Sequence, residues 1–305
     1  MATAEPVRIG TRGSALARWQ SEWVAEQLRA RGISVELIVI ATLGDQQQGP
    51  VAALEPGVFT KAIQQALLDH RVDLAVHSLK DLPTDLVPGL ILAAVPERAS
   101  SADVLISRTG LGLDQLAENS VIGTGSSRRA AQLRHLRPDL VVQDIRGNVE
   151  TRIEKLDAGQ YDAIVLAEAG LTRLGLAARV TQILPQKKML PAVGQGALGL
   201  EIRENDQTTA QSVAALDDAS SHQAVTAERS MLAQLRGGCL APVGAWARVA
   251  VDALQLDAVV LDLEGKRRIT ASSEGPSTDG FALGRRVAED LLSQGAAELL
   301  AAARS

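Results

Sequence analysis

The sequence predicts an α/β protein with two similar units in succession and a smaller α+β unit at the end. Three observations carry that reading. From Val7 to about Val95, short β-rich runs alternate with longer helical patterns, as a sheet flanked by helices requires. The alternation restarts near Val121, and after Leu216 it gives way to a helix, a glycine turn and strands. At roughly 100–200 residues per domain, 305 residues provide for two or three domains.

In the first unit, Val7–Thr11 reads as a strand, Ser14–Arg31 as a helix and Val35–Ile40 as a strand. A helix over Phe59–Arg71 and a strand over Asp73–Ser78 complete it. Pro96–Ser101 and a strand at Val104–Ser107 read as the segment crossing to the second unit. That unit offers strand Val121–Gly123, a helix from Ser126 to Leu136, strand Leu140–Ile145, helix Asn148–Ala158 and strand Asp162–Leu166. A Gly-rich run after Leu190 leads into a further strand and a polar helix over Gln207–Leu216. The last unit has a helix over Gln223–Leu235, a Gly237-Gly238-Cys239 turn, strands about Glu264-Gly265, and a closing helix from Phe281.

Composition narrows the function. Hydrophobic residues make 46% and charged residues 22%, which excludes a disordered or fibrous chain. Aromatics are 2%, too few for base-stacking platforms, and a net charge of −5 disfavours a general polyanion binder, so no nucleic-acid partner is expected. One Cys and four scattered His leave no multi-cysteine or paired-histidine metal site. The first residues lack a basic-then-apolar signal, and no apolar run approaches the ~18 residues that span a bilayer. A cytoplasmic protein with no membrane partner is the expectation.

Twenty-five of the 31 basic residues are Arg, and Val121 to Arg152 holds six Arg against three acids. Arg pairs bidentately with carboxylates and phosphates, so Arg128, Arg129 and Arg146, at element ends, read as an anion site, whereas Arg134 and Arg137 read as ordinary helix charges. Gly123-Thr124-Gly125-Ser126-Ser127 places small residues between a strand and a helix whose free N–H groups can receive an anion, though it matches neither nucleotide-binding glycine motif. Thr11-Arg12-Gly13-Ser14 repeats that grammar; ordinary helix capping explains each equally well. His77-Ser78-Leu79-Lys80-Asp81-Leu82-Pro83 ends a strand at the edge where open α/β sheets place ligands. Asp81 there reads as a proton-transfer group or as the cap of a polar turn. Cys239 follows two glycines and reads as a reactive thiol or as a small buried apolar residue. A two-unit binding protein for a small anion, or a nucleotide-dependent enzyme, would share parts of this pattern.

Together the segments resemble the porphobilinogen deaminase (hydroxymethylbilane synthase) family. The matching pieces are Thr11 to Ser14, Val76 to Pro83, Gly123 to Arg129, Arg146 to Val149 with Thr151-Arg152, Pro191 to Gly199 and Leu235 to Cys239, all in order. The resemblance implies two domains like type II periplasmic binding proteins flanking a cleft and a small α+β third domain. Domain 1 would comprise 1–97 and 194–217, domain 2, inserted, 98–193, and domain 3 218–305.

It also implies a monomeric transferase that condenses four porphobilinogen molecules into a linear tetrapyrrole with loss of ammonia. The chain would grow on a dipyrromethane cofactor held by a thioether to Cys239. By position, Ser78, Lys80, Thr124, Ser126, Arg128, Arg129, Gln195 and Gly196 would hold the cofactor. Arg12, Ser14, Arg146, Arg152 and Arg173 would bind substrate carboxylates. Asp81 would offset the azafulvene cation left by ammonia and move its proton. Departures from the family pattern stand at Leu43, at Ala53 to Gly57, and at Gly125 and Ser127.

Overall fold

The structure is a computed structural model that describes residues 5–41, 60–85, 87–236, 241–251 and 253–304. Leu43, the Ala53 to Gly57 loop, Phe59 and Cys239 lie outside the described residues. The chain divides into two compact units, residues 1–98 with 197–222 and residues 99–196 with 223–305.

In the first unit, β1 (Val7–Thr11), β2 (Val35–Val39), β3 (Leu74–Ser78), β4 (Leu90–Ala94) and β10 (Leu198–Arg203) form one sheet in the order β2-β1-β3-β10-β4. β1 runs parallel to β2 and β3, and β10 runs antiparallel to β3 and β4. Helices α1 (Ala15–Arg29), α2 (Lys61–Leu68) and α6 (Gln207–Ala214) belong to this unit. Ile9, Leu74 and Leu200 pack with Val24 and Leu28 of α1 and Val213 of α6, while Ala75 packs with Ile63 and Leu67 of α2. Ser14, the predicted start, is the cap of α1, so the helix begins one residue later at Ala15. β4 was not expected from the sequence: its Leu-Ile-Leu-Ala-Ala run has no alternation that separates strand from helix.

In the second unit, β5 (Asp103–Ser107), β6 (Val121–Gly123), β7 (Val141–Gln143), β8 (Ala163–Ala167) and β9 (Gln182–Leu184) form a sheet in the order β7-β6-β8-β5-β9. Three parallel strands, an antiparallel fourth and an outer fifth repeat the order of the first sheet. Both sheets thus have the arrangement of a type II periplasmic-binding-protein-like fold. The strand expected at Val104–Ser107 is β5, which starts one residue earlier and is an inner strand of this sheet, hydrogen-bonded to both β8 and β9, with Val104, Leu105 and Ile106 buried. Helices α3 (Ser127–Leu136), α4 (Val149–Asp157) and the short α5 (Glu168–Arg173) complete this part.

The same unit carries an antiparallel sheet of β11 (Val243–Ala250), β12 (Ala253–Leu261) and β13 (Arg268–Pro276) with helices α7 (Ala219–Gln234), α8 (Gly280–Ser293) and α9 (Ala296–Ala302). α8 approaches α7 so closely that a Cβ on Gly284 would stand 2.3 Å from the Ala227 carbonyl oxygen. Gly265, at φ +72°, likewise packs its turn onto α3, where a Cβ would lie 2.5 Å from the Ala131 carbonyl oxygen. The expected closing helix is two helices, broken at Gly295 in the left-handed region (φ +96°).

Candidate active site

In the first unit the chemistry gathers at the ends of β1 and β3. The Ser14 hydroxyl accepts from the Ala17 N–H at 3.4 Å, which starts α1 and turns Arg12-Gly13 out of the sheet. β3 ends at Ser78, and Leu79–Asp81 form one 3₁₀ turn. Two buried leucines, Leu79 and Leu82, hold the turn on either side, and the Leu79 N–H donates to the Ala197 carbonyl at 3.0 Å. Gly199 makes room for Leu79: a Cβ there would lie 2.7 Å from Leu79 Cδ1. Anchored in this way, the turn leaves Lys80 and Asp81 exposed. One cavity is lined by Arg12, Ser14, Gln20, His77, Ser78 and Asp81, with Ser78 Oγ and Gln20 Nε2 2.8 Å apart.

In the second unit the arginines fall into two sets. Arg128 and Arg129, in the first turn of α3, are buried against Asp103, which is fully enclosed. Arg128 Nη1 donates to Asp103 Oδ2 at 2.8 Å and to the Leu190 carbonyl at 2.6 Å. Arg129 donates through Nε to Asp103 Oδ1 at 2.9 Å and through Nη1 to the Val165 carbonyl at 3.1 Å. Gln195 Nε2 adds a donor to Asp103 at 2.9 Å. Burial alone would raise the Asp103 pKa, but the two guanidinium charges and these hydrogen bonds outweigh it and hold the carboxyl well below the usual range.

Arg146 and Arg152 are only half-buried. Arg146 pairs with the exposed Asp144 at 2.7 Å, and Arg152 Nε donates to the Gly147 carbonyl at 2.8 Å. Burial first, then the neighbouring positive charges of Arg129 and Arg146, push the Arg152 pKa down to about 10. The surroundings of Arg152 thus hold more positive than negative charge. Beside it, Thr124 and Ser126 shape the start of α3: Ser126 Oγ accepts from the Arg129 N–H at 3.4 Å, and the Ser126 N–H donates to Thr124 Oγ1 at 3.3 Å. Gly125 is needed there, since a Cβ would stand 2.9 Å from the Ile145 carbonyl oxygen. Arg173 donates to the Gly196 carbonyl at 2.7 Å, and burial lowers its pKa to about 10.

The structure therefore collects Arg12, Ser14, Ser78 and Asp81 at one cavity, with Lys80 on the same turn. Thr124, Ser126, Arg128, Arg129 and Gln195 gather about the start of α3, near Arg152 and Arg146. Arg134 and Arg137, expected as ordinary helix charges, make structural contacts: Arg134 donates to the Leu263 carbonyl, and Arg137 pairs with Asp139 while donating to the Leu113 and Leu116 carbonyls. Sequence reasoning missed Asp103, Gln20 and Glu201. An acid directly ahead of the apolar Val104-Leu105-Ile106 run was the available signal for Asp103.

A sequence model described as "Porphobilinogen deaminase, dipyromethane cofactor binding domain" matches residues 7–211, and one described as "Porphobilinogen deaminase, C-terminal domain" matches residues 222–293. The chain belongs to the porphobilinogen deaminase family. A porphobilinogen deaminase of Desulforudis audaxviator is 48% identical over 303 residues, covering 98% of this chain and 98% of that protein. One of Syntrophotalea carbinolica is 46% identical over 304 residues, covering 98% of this chain and 96% of that protein. Among solved structures, the methionine binding protein MetQ aligns with 75% of this chain and 93% of its own at 13% identity and a TM-score of 0.45. The porphobilinogen deaminases are transferases that polymerise porphobilinogen into hydroxymethylbilane in tetrapyrrole biosynthesis, and they use a dipyrromethane cofactor.

A dipyrromethane carries carboxylate side arms, and the residues fit such a group. Arg152 stands among like charges, Arg128 Nε is buried with no acceptor among the described residues, and the α3 N-terminus is kept open by Gly125. Among the described residues no cluster of His, Cys, Asp and Glu could hold a metal, and no helix is long and apolar enough to cross a membrane.

Proposed function

We propose that Asp81 is the catalytic carboxylate of this deaminase and that the arginines of the second unit hold the carboxylate arms of cofactor and growing chain. The observation that carries the reading is the cavity on which Arg12, Ser14, Ser78 and Asp81 converge. Arg12 and the α1 N-terminus suit the carboxylate arms of a pyrrole, and Asp81 on its anchored turn suits the aminomethyl end. The Asp81 carboxyl group lowers the barrier to ammonia loss in two ways: it gives its proton to the departing amine, and the carboxylate that remains offsets the cation left on the substrate. The same oxygen then takes the proton released when the new carbon–carbon bond forms. When bound, the dipyrromethane supplies the pyrrole carbon to which the chain is joined, and Cys239 carries it through a thioether.

In the second unit Arg146 and Arg152, with Ser126 and Thr124, bind carboxylate arms. Arg128, Arg129, Gln195, Gly196 and Arg173 complete the cofactor side, with Ser78 and Lys80 contributing from the β3 turn. Fixing those arms holds the reacting carbon in place, which is where proximity contributes most. Three domains, 1–97 with 194–217, 98–193 and 218–305, accord with one sheet in each. A cytoplasmic monomer acting on porphobilinogen completes the proposal.

Two measurements on purified protein test it. The intact mass is expected to exceed the sequence mass by two linked pyrrole units, and Cys239→Ser to abolish the excess; an active protein of unmodified mass overturns the attachment. Asp81→Asn, confirmed by mass to carry the cofactor, is expected to lose most single-turnover ammonia release while keeping the fold. Release at the parental rate would reduce Asp81 to a turn residue.

A further inference from the structure

Residues 144–147 link β7 to α4 and carry Arg146, yet they belong to no strand or helix, so no ladder places their carbonyls. Side chains from neighbouring elements do so instead. The hydroxyl of Tyr161, two residues ahead of β8, donates to the Asp144 carbonyl at 2.8 Å. Lys155 Nζ, on α4, donates to the Arg146 carbonyl at 2.9 Å, and Arg152 Nε takes the Gly147 carbonyl at 2.8 Å. The remaining carbonyl, of Ile145, faces Gly125 at the start of α3, and the Ile145 side chain is buried with Ile153 and Leu156. The Tyr161 ring is itself held against Gly123, where a Cβ would lie 2.9 Å from its Cδ1.

Stability alone does not call for these donors. Asp144 and Gly147 are exposed, so water would satisfy their carbonyls, and ordering a lysine side chain costs entropy that a single hydrogen bond largely offsets and no more. Among the described residues Lys155 has no carboxylate partner, so its ammonium is committed to the Arg146 carbonyl. What the donors supply is placement, and the group placed is the Arg146 guanidinium. A Cβ on Gly125 would lie 3.7 Å from Arg146 Nη1, which puts that guanidinium beside the turn where Ser126 caps α3. Among the described residues Arg146 gives only its Nε–H to the protein, to Asp144, which leaves both Nη groups for a bidentate pair with a carboxylate.

We propose that Lys155 and Tyr161 are positioning residues for carboxylate recognition: by holding the carbonyls of Arg146 and Asp144 they fix the backbone from which the Arg146 guanidinium meets a carboxylate arm of the pyrrole substrate. The inference rests on the reading of Arg146 as a carboxylate-binding residue. Neither Lys155 nor Tyr161 touches the substrate, and both act through Arg146.

Steady-state kinetics per cofactor-loaded molecule, counted by intact mass, together with urea unfolding, test the proposal. Lys155→Met is expected to raise KM for porphobilinogen about tenfold and Tyr161→Phe about threefold, the range of one hydrogen bond. For both, kcat is expected to stay within about twofold and the unfolding midpoint close to the parent's. In an Arg146→Met background neither change is expected to raise KM further, a coupling that a merely structural role would not produce. An unchanged KM in either folded single variant, or a rise by the same factor with and without Arg146, overturns the proposal; a raised KM in Arg146→Met alone then keeps the carboxylate reading standing. An Arg146→Met protein with the parental KM removes both. Where one single variant does not fold the other decides, and if neither folds the two side chains serve the fold and the proposal fails.

Discussion

Arg128 and Arg129 on one side, Arg146 and Arg152 on the other, come from the same Arg-rich stretch and end in opposite electrostatic situations. The first pair closes on Asp103 inside the protein, with carbonyls of Leu190 and Val165 taking further N–H groups. The second pair is half-buried, and Asp144, its acidic neighbour, is exposed and bonded to Arg146. A guanidinium matched by an enclosed carboxylate steadies the fold, and one such as Arg152, with Arg129 and Arg146 as positive neighbours, favours an anion from outside. Which of the two an arginine does depends on the countercharge placed beside it.

The largest effect expected from that difference is on stability. Asp103→Asn keeps the shape and leaves two buried guanidinium groups without a countercharge, a loss of about 3–5 kcal/mol by the usual cost of breaking a buried pair. The midpoint of urea unfolding measures it, and a midpoint unchanged from the parent would break the comparison at its stronger arm.

Arg152→Met sharpens the other arm. The folded state already disfavours the Arg152 charge, since its pKa is lowered from 12.5 to about 10, so at neutral pH the charge opposes folding and its removal costs little. Unfolding of the apoprotein is expected to stay within about 0.5 kcal/mol of the parent. Loss of one charge-assisted contact to a carboxylate is expected to weaken ligand binding by about 1.5–3 kcal/mol, read as a higher KM for porphobilinogen or a lower fraction of cofactor-loaded protein by mass. A large stability loss with normal binding would show that Arg152 serves the fold alone.

The smallest effect extends the comparison to the first unit. Burial raises the Asp73 pKa, but hydrogen bonds from Arg8 and Arg203 outweigh it and bring the carboxyl to about 2, against 3.8 unfolded. A depressed folded pKa contributes stability that is present above about pH 4 and is lost as pH falls through 2. Asp73→Asn is expected to remove about 1–2 kcal/mol at neutral pH and to flatten acid unfolding between pH 4 and 2. Acid titrations of parent and variant that run parallel through that window would show that the two arginines do not act on Asp73.

The alternation of strands and helices was legible because it follows from local periodicity, and so were the two Ser-capped helix starts, because Ser14 and Ser126 satisfy N–H groups within three residues in sequence. Periodicity was silent for β4, apolar on successive residues, and edge strand β9 is only three residues long. The six motifs were legible as a set in chain order, which led to the family and from it to Cys239 and Asp81.

By itself the sequence determined which residue types stand at the ends of strands and helices, and from them came the expectation of an anionic ligand at an arginine-rich site. Only the tertiary structure decided which arginines have an enclosed countercharge, because Asp103 reaches Arg128 and Arg129 across 25 and 26 residues of sequence. The same holds for Glu201, which reaches His77 across 124 residues through the antiparallel return of β10. A charge's local sequence reports its own preference for water or for a helix end. Its pairing is a long-range property, set where sheet register and helix packing bring distant side chains within hydrogen-bond distance.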